Sequence, residues 1–341
     1  MDKKISIKDI AEMAGVSVAT VSRVINQNGR FSKDTEDRVL GLIHQYGYRP
    51  NELARGLRVN HAQVVGVLVP DIMNEFFSGI AAVVESNLLQ QGYMAIICDT
   101  KEDLYLERQY IDMLLSLQVG GIIYVCRSQK IAPIEKIPAV YIDRQPTFTG
   151  TQENVAFIGS DNYRGGYLAG KRLLDAGCKK PVIVLHNKTI ATQRKRLSGY
   201  KKALRDGGMD FEKQMAIKVD VVDLQHGYQV TKELWESESG IDGIFYASDL
   251  LAIGGLQYFN EQQIKIPEQV SVIGFDGIPL GGVVSPALTT IRQSYQQFGS
   301  LAAEVVVRMM KEKTPYQEFI LPVELLERNS VWPGKDGMEN A

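Results

Sequence analysis

From Val64 onward the chain alternates short apolar runs with helical patterns, and this alternation constrains the fold more than any other feature. The runs are 64-VVGVLVP-70, 94-MAIICD-99, 121-GIIYVC-126, 139-AVYID-143, 155-VAFIG-159, 182-VIVLH-186, 243-GIFYA-247 and 270-VSVIGFD-276. A continuous apolar run belongs in a strand buried on both faces. Interleaved with helices, such strands predict parallel sheets with crossover connections, an α/β body. About 280 residues of this texture exceed one comfortable core, so two lobes are expected. No run approaches the ~20 apolar residues of a membrane helix.

The first 60 residues read differently, as helices only. Ser6 and Asp9 form a capping pattern ahead of Ile7, Ile10 and Ala14, and Gly15 stops that helix. Ser17 caps a second helix with an apolar stripe of Val21, Val24 and Ile25. Ser32 caps a third, whose inward face is expected to be Val39, Leu42, Ile43 and Tyr46, stopped by Gly47. Pro50 opens a short segment, Asn51 to Leu57, too poor in apolar residues to fold without a partner. The head carries net charge +3 and the remainder −5. That imbalance fits a polyanion partner for the head as readily as it fits ordinary scatter.

The segment 7-IKDIAEMAGVSVATVSRVIN-26 has the small residue Ala11, the turn glycine Gly15 and Val16 that let two helices cross closely, a helix-turn-helix. Its second helix would present Ser17, Val18, Ala19, Ser22 and Arg23 outward. Small side chains at 18 and 19 permit close approach to a groove floor, Arg23 reaches a guanine or a phosphate, and Ser17, Thr20 and Ser22 offer hydroxyls to phosphates. A solvated helical hairpin is the plain alternative.

Other chemistry finds no support. The three cysteines, Cys98, Cys126 and Cys178, are scattered, without a CxxC pair. His44, His61, His186 and His226 lack ligand spacing, so no metal is expected. There is no GxSxG, no GxGxxG and no phosphate-loop motif, so neither catalysis nor a cofactor is expected. The start, MDKKISIKDIAEMAG, has no apolar signal core, so a cytoplasmic location is expected. The tail from Pro333 is polar and carries no leucine heptad for further assembly.

The motifs 7-IKDIAEMAGVSVATVSRVIN-26, 47-GYRPNELARGL-57, 157-FIGSDNYRGG-166 and 270-VSVIGFD-276 resemble the LacI/GalR family of bacterial transcription regulators, over essentially the whole chain. The resemblance implies an all-α helix-turn-helix head on a two-lobed, periplasmic-binding-protein-like α/β body with parallel sheets of type I. It implies a DNA-binding domain at 1–50, a hinge helix and linker at 51–63, and an effector-binding and dimerisation domain at 64–341. The first lobe would take about 64–160 and 292–322, the second about 161–291 and 323–333. A homodimer would read a near-palindromic operator. Val18, Ala19 and Arg23 fall at base-reading positions, with Asn26 closing the reading helix. Leu57 is implied as a minor-groove wedge flanked by Arg55 and Arg58.

For the body, the resemblance is to the ribose-binding type, and it implies a sugar between the lobes. Asn74 would bond a hydroxyl and Phe76 and Phe77 would stack. Glu75 stands where the pattern has proline. Asp143 and Arg144 end a strand at the edge where open α/β sheets bind ligands. The second lobe offers Arg196, Asp276 and, at the crossover, Gln293. Arg196 sits among Arg194 and Lys195, so a solvated charge run is its alternative. Val222 replaces an aromatic and Ser248 an asparagine, which points to a monosaccharide other than ribose. Asp161 and Asn162 read more readily as helix cap and strand-end bonds than as ligand contacts. The expected function is a repressor of a carbohydrate uptake or catabolic operon, released by a small sugar. The alternatives are a catabolite-control regulator with a phosphocarrier protein as corepressor, which Asp143 and Arg144 disfavour, and a sugar receptor without a DNA role.

Overall fold

The structure, a computed structural model, describes residues 5–25, 27–48, 63–125, 137–145, 153–187, 190–237 and 240–333. Two compact units divide the chain, Met1–Ala62 and Gln63–Ala341. The expected hinge segment, and with it Arg55, Leu57 and Arg58, lies outside the described residues, as does Asn26.

The first unit holds three helices, α1 (Ile7–Ala14), α2 (Val18–Ile25) and α3 (Lys33–Gln45). Ser6 and Asp9 cap α1 reciprocally: the Asp9 N–H donates to Ser6 Oγ at 3.3 Å and the Ser6 N–H to Asp9 Oδ2 at 2.7 Å. Gly15 adopts φ +66°, a left-handed conformation that a β-carbon would disfavour, and its N–H donates back to Ala11 and Glu12. Ile10, Ala11, Ala14, Val21, Val24 and Val39 close one small core. Tyr46 corrects the sequence reading: it is exposed. The chain turns at Gly47, and Tyr48 packs on that core in its place.

The second unit contains two six-stranded sheets. In chain order its elements are β1 (Val64–Val69), α4 (Glu75–Gln90), β2 (Met94–Asp99), α5 (Leu104–Ser116), β3 (Gly121–Val125), β4 (Ala139–Ile142), β5 (Val155–Ser160), α6 (Asn162–Asp175), β6 (Pro181–His186) and α7 (Ala191–Asp206). There follow β7 (Ala216–Val219), α8 (Leu224–Ser237), β8 (Gly243–Tyr246), α9 (Asp249–Glu261), β9 (Ser271–Asp276), β10 (Thr289–Arg292), α10 (Tyr295–Lys311), β11 (Gln317–Leu321) and β12 (Glu324–Leu326). The first sheet runs β11-β5-β4-β3-β1-β2 and the second β12-β10-β9-β8-β6-β7.

Every expected apolar run forms a strand. β1, β3, β4 and β5 are buried almost throughout, as continuous apolar strands between helices must be. The neighbours in the first sheet are parallel; in the second, β12 pairs antiparallel with β10, a departure from an all-parallel expectation. Strands β7, β10, β11 and β12 were not evident in the sequence. The chain passes between lobes three times, after β5, after β10 and after β11. Helix α10 thus returns to the first lobe, where Gly299 lies directly on Val83 of α4. No helix among the described residues is long and apolar enough to cross a membrane.

Candidate functional site

The C-terminal ends of the two sheets face a shared cleft of about 400 Å³. Asn74, Phe76, Phe77, Asp143 and Arg144 of the first lobe line it, with Arg196, Val222, Ser248 and Asp276 of the second. Gln293 is not on the lining. It is 1% exposed and stands behind Asp276, donating from Nε2 to Oδ1 at 2.9 Å.

Asp143 follows the last residue of β4 and Asp276 ends β9, and both have positive φ, +66° and +119°. A side chain holds such a backbone only where its surroundings fix it, which is common at binding sites. The Asp143 N–H donates to the Ile158 carbonyl at 2.8 Å. For Asp276 the fixing group is Asp249, fully buried at the start of α9. Its Oδ2 accepts from the Gly277 and Ile278 N–H groups at 2.8 Å each, and its Oδ1 from the Thr290 hydroxyl at 2.6 Å. Burial raises the Asp249 carboxyl above the ordinary carboxylate range, the Asp276 charge adds to this, and its three donors oppose it. Part of Asp276 reaches the cleft, yet burial raises it as well; Arg196 opposes the shift and Asp143, across the cleft, reinforces it.

Arg196 is no solvated charge. It is 4% exposed, with Nε donating to Asn162 Oδ1 at 2.7 Å, Nη1 to the Ala247 carbonyl at 2.6 Å, and its guanidinium 3.5 Å from the Phe275 ring centre. The packing of α6 on α7 sets this position: a β-carbon on Gly166 would overlap the Arg196 carbonyl. Asn162 also donates to the Ser160 carbonyl and Asp161 caps α6 through the Arg164 N–H, so both residues serve the crossover.

The first-lobe wall is looser. Arg144 pairs with Glu102 at 3.4 Å. Asn74 Oδ1 caps α4 by accepting from the Phe76 N–H at 3.0 Å. Phe76 is 2% exposed and sets its ring edge-on against Phe298, so Phe77, half-buried, is the aromatic surface better placed for a ligand. Sequence reasoning missed Glu102, His186, Gln193 and Asp220, which also line the cleft. The His186 Nε2 lies 2.9 Å from the Asp220 carbonyl. Their signal was position alone: Glu102, His186 and Asp220 end or follow strands at the ligand edge. Among the described residues no acidic, His or Cys cluster fits a metal.

In the head, Ser17, Ala19 and Arg23 are exposed on or beside α2, and Val18, Thr20 and Ser22 are half-buried. Ser17 Oγ accepts from the Thr20 N–H at 3.1 Å, so it caps α2. The Arg23 methylenes lie along Gly29.

A helix-turn-helix unit, followed along the chain by a two-lobed α/β body with a polar cleft between its sheets, defines a class of modular regulators built on a binding-protein scaffold. Comparison with known proteins narrows the class. The profile of bacterial regulatory proteins of the lacI family matches residues 6–51, and that of the periplasmic binding protein-like domain matches 171–331. The chain is 33% identical to the ribose operon repressor of Halalkalibacterium halodurans, across 98% of this chain and 99% of that one. It is 31% identical to the HTH-type transcriptional repressor PurR of Haemophilus influenzae, across 96% and 98%. The lac repressor dimer bound to operator and the anti-inducer ONPF superposes with a TM-score of 0.83 at 23% identity, over 96% of this chain and 99% of that one, a likeness of fold. The chain belongs to the lacI family of bacterial regulatory proteins.

Proposed function

We propose that the protein is a DNA-binding repressor of a carbohydrate uptake or catabolic operon, released from its operator by a small sugar held in the cleft. One relative is named for a ribose operon and the other only as the transcriptional repressor PurR, so the cleft chemistry decides. The carrying observation is the pair Asp143 and Asp276, fixed at strand ends of opposite lobes, each with an arginine at hand. Paired carboxylates and guanidinium groups bond sugar hydroxyls in several directions, and Phe77 offers a face for C–H surface. Val222 and Ser248, on the cleft lining where the resemblance has an aromatic and an asparagine, reshape the second-lobe wall, which favours a monosaccharide other than ribose.

In the head, Ser17, Val18, Ala19, Thr20, Ser22 and Arg23 form the reading surface for a major groove. A homodimer presents two such heads to a near-palindromic operator in the cytoplasm. Exposed Leu89, Met94, Leu104, Tyr105 and Met113, on α4, edge strand β2 and α5, supply an apolar surface suited to that dimer. The sugar acts by population shift: it binds the lobe-closed form better than the operator-bound form.

Fluorescence anisotropy of the full-length protein on DNA from its own upstream region tests the reading. Saturable binding, relieved by one of a panel of aldoses and ketoses and no longer relieved in Asp276→Ala, is the expected result. Binding that survives every sugar overturns the effector assignment.

A further inference from the structure

Glu75 is the residue at which the first-lobe cleft motif departs from the proline expected by resemblance, and the structure gives it a partner in the other lobe. It is the first residue of α4, immediately after Asn74 and before Phe76 and Phe77. Its Oε2 accepts a hydrogen bond from the Leu280 N–H at 3.0 Å, across 205 residues of sequence. Leu280 lies in the short turn Pro279–Gly282, four residues beyond Asp276. That turn is not a loose loop: the Gly277 and Ile278 N–H groups are both anchored on buried Asp249, and Ile278 is itself in the core. The bond therefore joins the start of α4 in the first lobe to an anchored turn of the second, and Asn74, Phe76 and Phe77 beside its first-lobe end line the cleft.

We propose that Glu75 is a positioning residue that straps the lobes together and sets the resting aperture in which the effector is received. This rests on the cleft being the effector site. A carboxylate accepting from a backbone amide makes a charge-assisted hydrogen bond, stronger than a neutral one. Any bond made in one lobe arrangement and lost in others weights the population toward that arrangement. Ligands that use both walls then bind a cleft already close to its working width, and the fraction of molecules competent to bind rises accordingly.

The position offers a clean variant. Glu75 is the first helical residue of α4, where proline is well tolerated because its missing N–H has no helical partner there. Asn74, with φ −79° and ψ 116°, already has the extended backbone that a following proline requires. Glu75→Pro thus removes the acceptor without disturbing the helix, and Glu75→Ala provides a second route if the proline variant fails to fold. Glu75→Gln keeps an acceptor oxygen.

Spin labels on noncanonical amino acids at exposed Lys313 of the first lobe and Lys265 of the second, in the full-length protein without ligand, read the aperture directly. The expected result is a longer and broader distance distribution for Glu75→Pro and Glu75→Ala, with Glu75→Gln close to the parent. Titration with a panel of D-ribose, D-xylose, D-glucose, D-galactose and D-fructose, followed by thermal shift, is expected to show the sugar that binds the parent doing so about tenfold more weakly in the proline variant and within about twofold of the parent in Glu75→Gln. Distances in Glu75→Pro and Glu75→Ala that match the parent overturn the strap, as does a Glu75→Gln protein as open as Glu75→Pro. A parent protein that ignores D-ribose and every other monosaccharide counts against the carbohydrate effector instead, and the distances still decide the strap.

Discussion

The two walls of the cleft present the same device in different settings. Each has an aspartate at a strand's C-terminal end with positive φ, Asp143 in one and Asp276 in the other. Behind Asp276 stands a buried polar lattice of Asp249, Thr290, Ser248, Gln293 and Arg196. Beside Asp143, the side chain ion pair of Arg144 with Glu102 is partly open to solvent. A buried hydrogen-bonded network fixes geometry, because each member deprived of its partner is costly. A solvated pair holds its geometry weakly. Under the proposed function, the second lobe is the template for the ligand and the first lobe the side that adapts to it.

The largest test of this contrast is Asp249→Ala. It strips the acceptor from two backbone N–H groups and one hydroxyl, and should cost the body about 3–5 kcal/mol in denaturant unfolding. A cost below ~1 kcal/mol would show that the lattice is not the rigid wall. Arg196→Met comes next. It leaves Asp276 buried without its neighbouring cation and should cost about 3 kcal/mol and abolish sugar-dependent release in anisotropy. A pH scan sharpens the comparison further. Both lattice carboxyls are raised, so the folded body holds protons that the unfolded chain releases. Stability from this source is complete below the ordinary carboxylate value and falls as pH rises through the raised one. In thermal unfolding, Asp249→Asn should flatten that decline by about 1 kcal/mol. Arg144→Ala, on the adaptable wall, should change stability by less than ~0.5 kcal/mol while weakening the sugar response about tenfold or more. Equal losses of stability from Arg144→Ala and Arg196→Met would erase the distinction between the walls.

The central strands were legible because burial on both faces leaves an unbroken apolar run. β11 (Gln317–Leu321) was not, since its residues alternate between half-buried and exposed at a sheet edge. β12 is only three residues long, and three of the four residues of β10 are threonine or arginine. Tyr46 and Tyr48 show the limit of periodicity near a helix end: the left-handed turn at Gly47 exchanges which ring packs inward. At the cleft, the charged residues carried a recognisable local pattern, and Asp143, Arg144, Arg196 and Asp276 do line one cavity. Gln293 was expected at the ligand and instead buttresses Asp276. Glu102 and Asp220 escaped because a polar residue after a strand is commonplace, and only the folded sheets bring their ends together. Asp249 escaped for a related reason: an acid beginning a helix is ordinary until the turn it anchors is known.

The return of α10 and β11 to the first lobe has a consequence for how the molecule is made. The lobe whose strands leave the ribosome earliest needs residues 295–321 to complete its sheet and cover α4. Synthesis runs from the N-terminus, so the sensor is finished only when nearly the whole chain has emerged, after the head is already available. A chain cut short before this segment would carry the head without a completed first lobe.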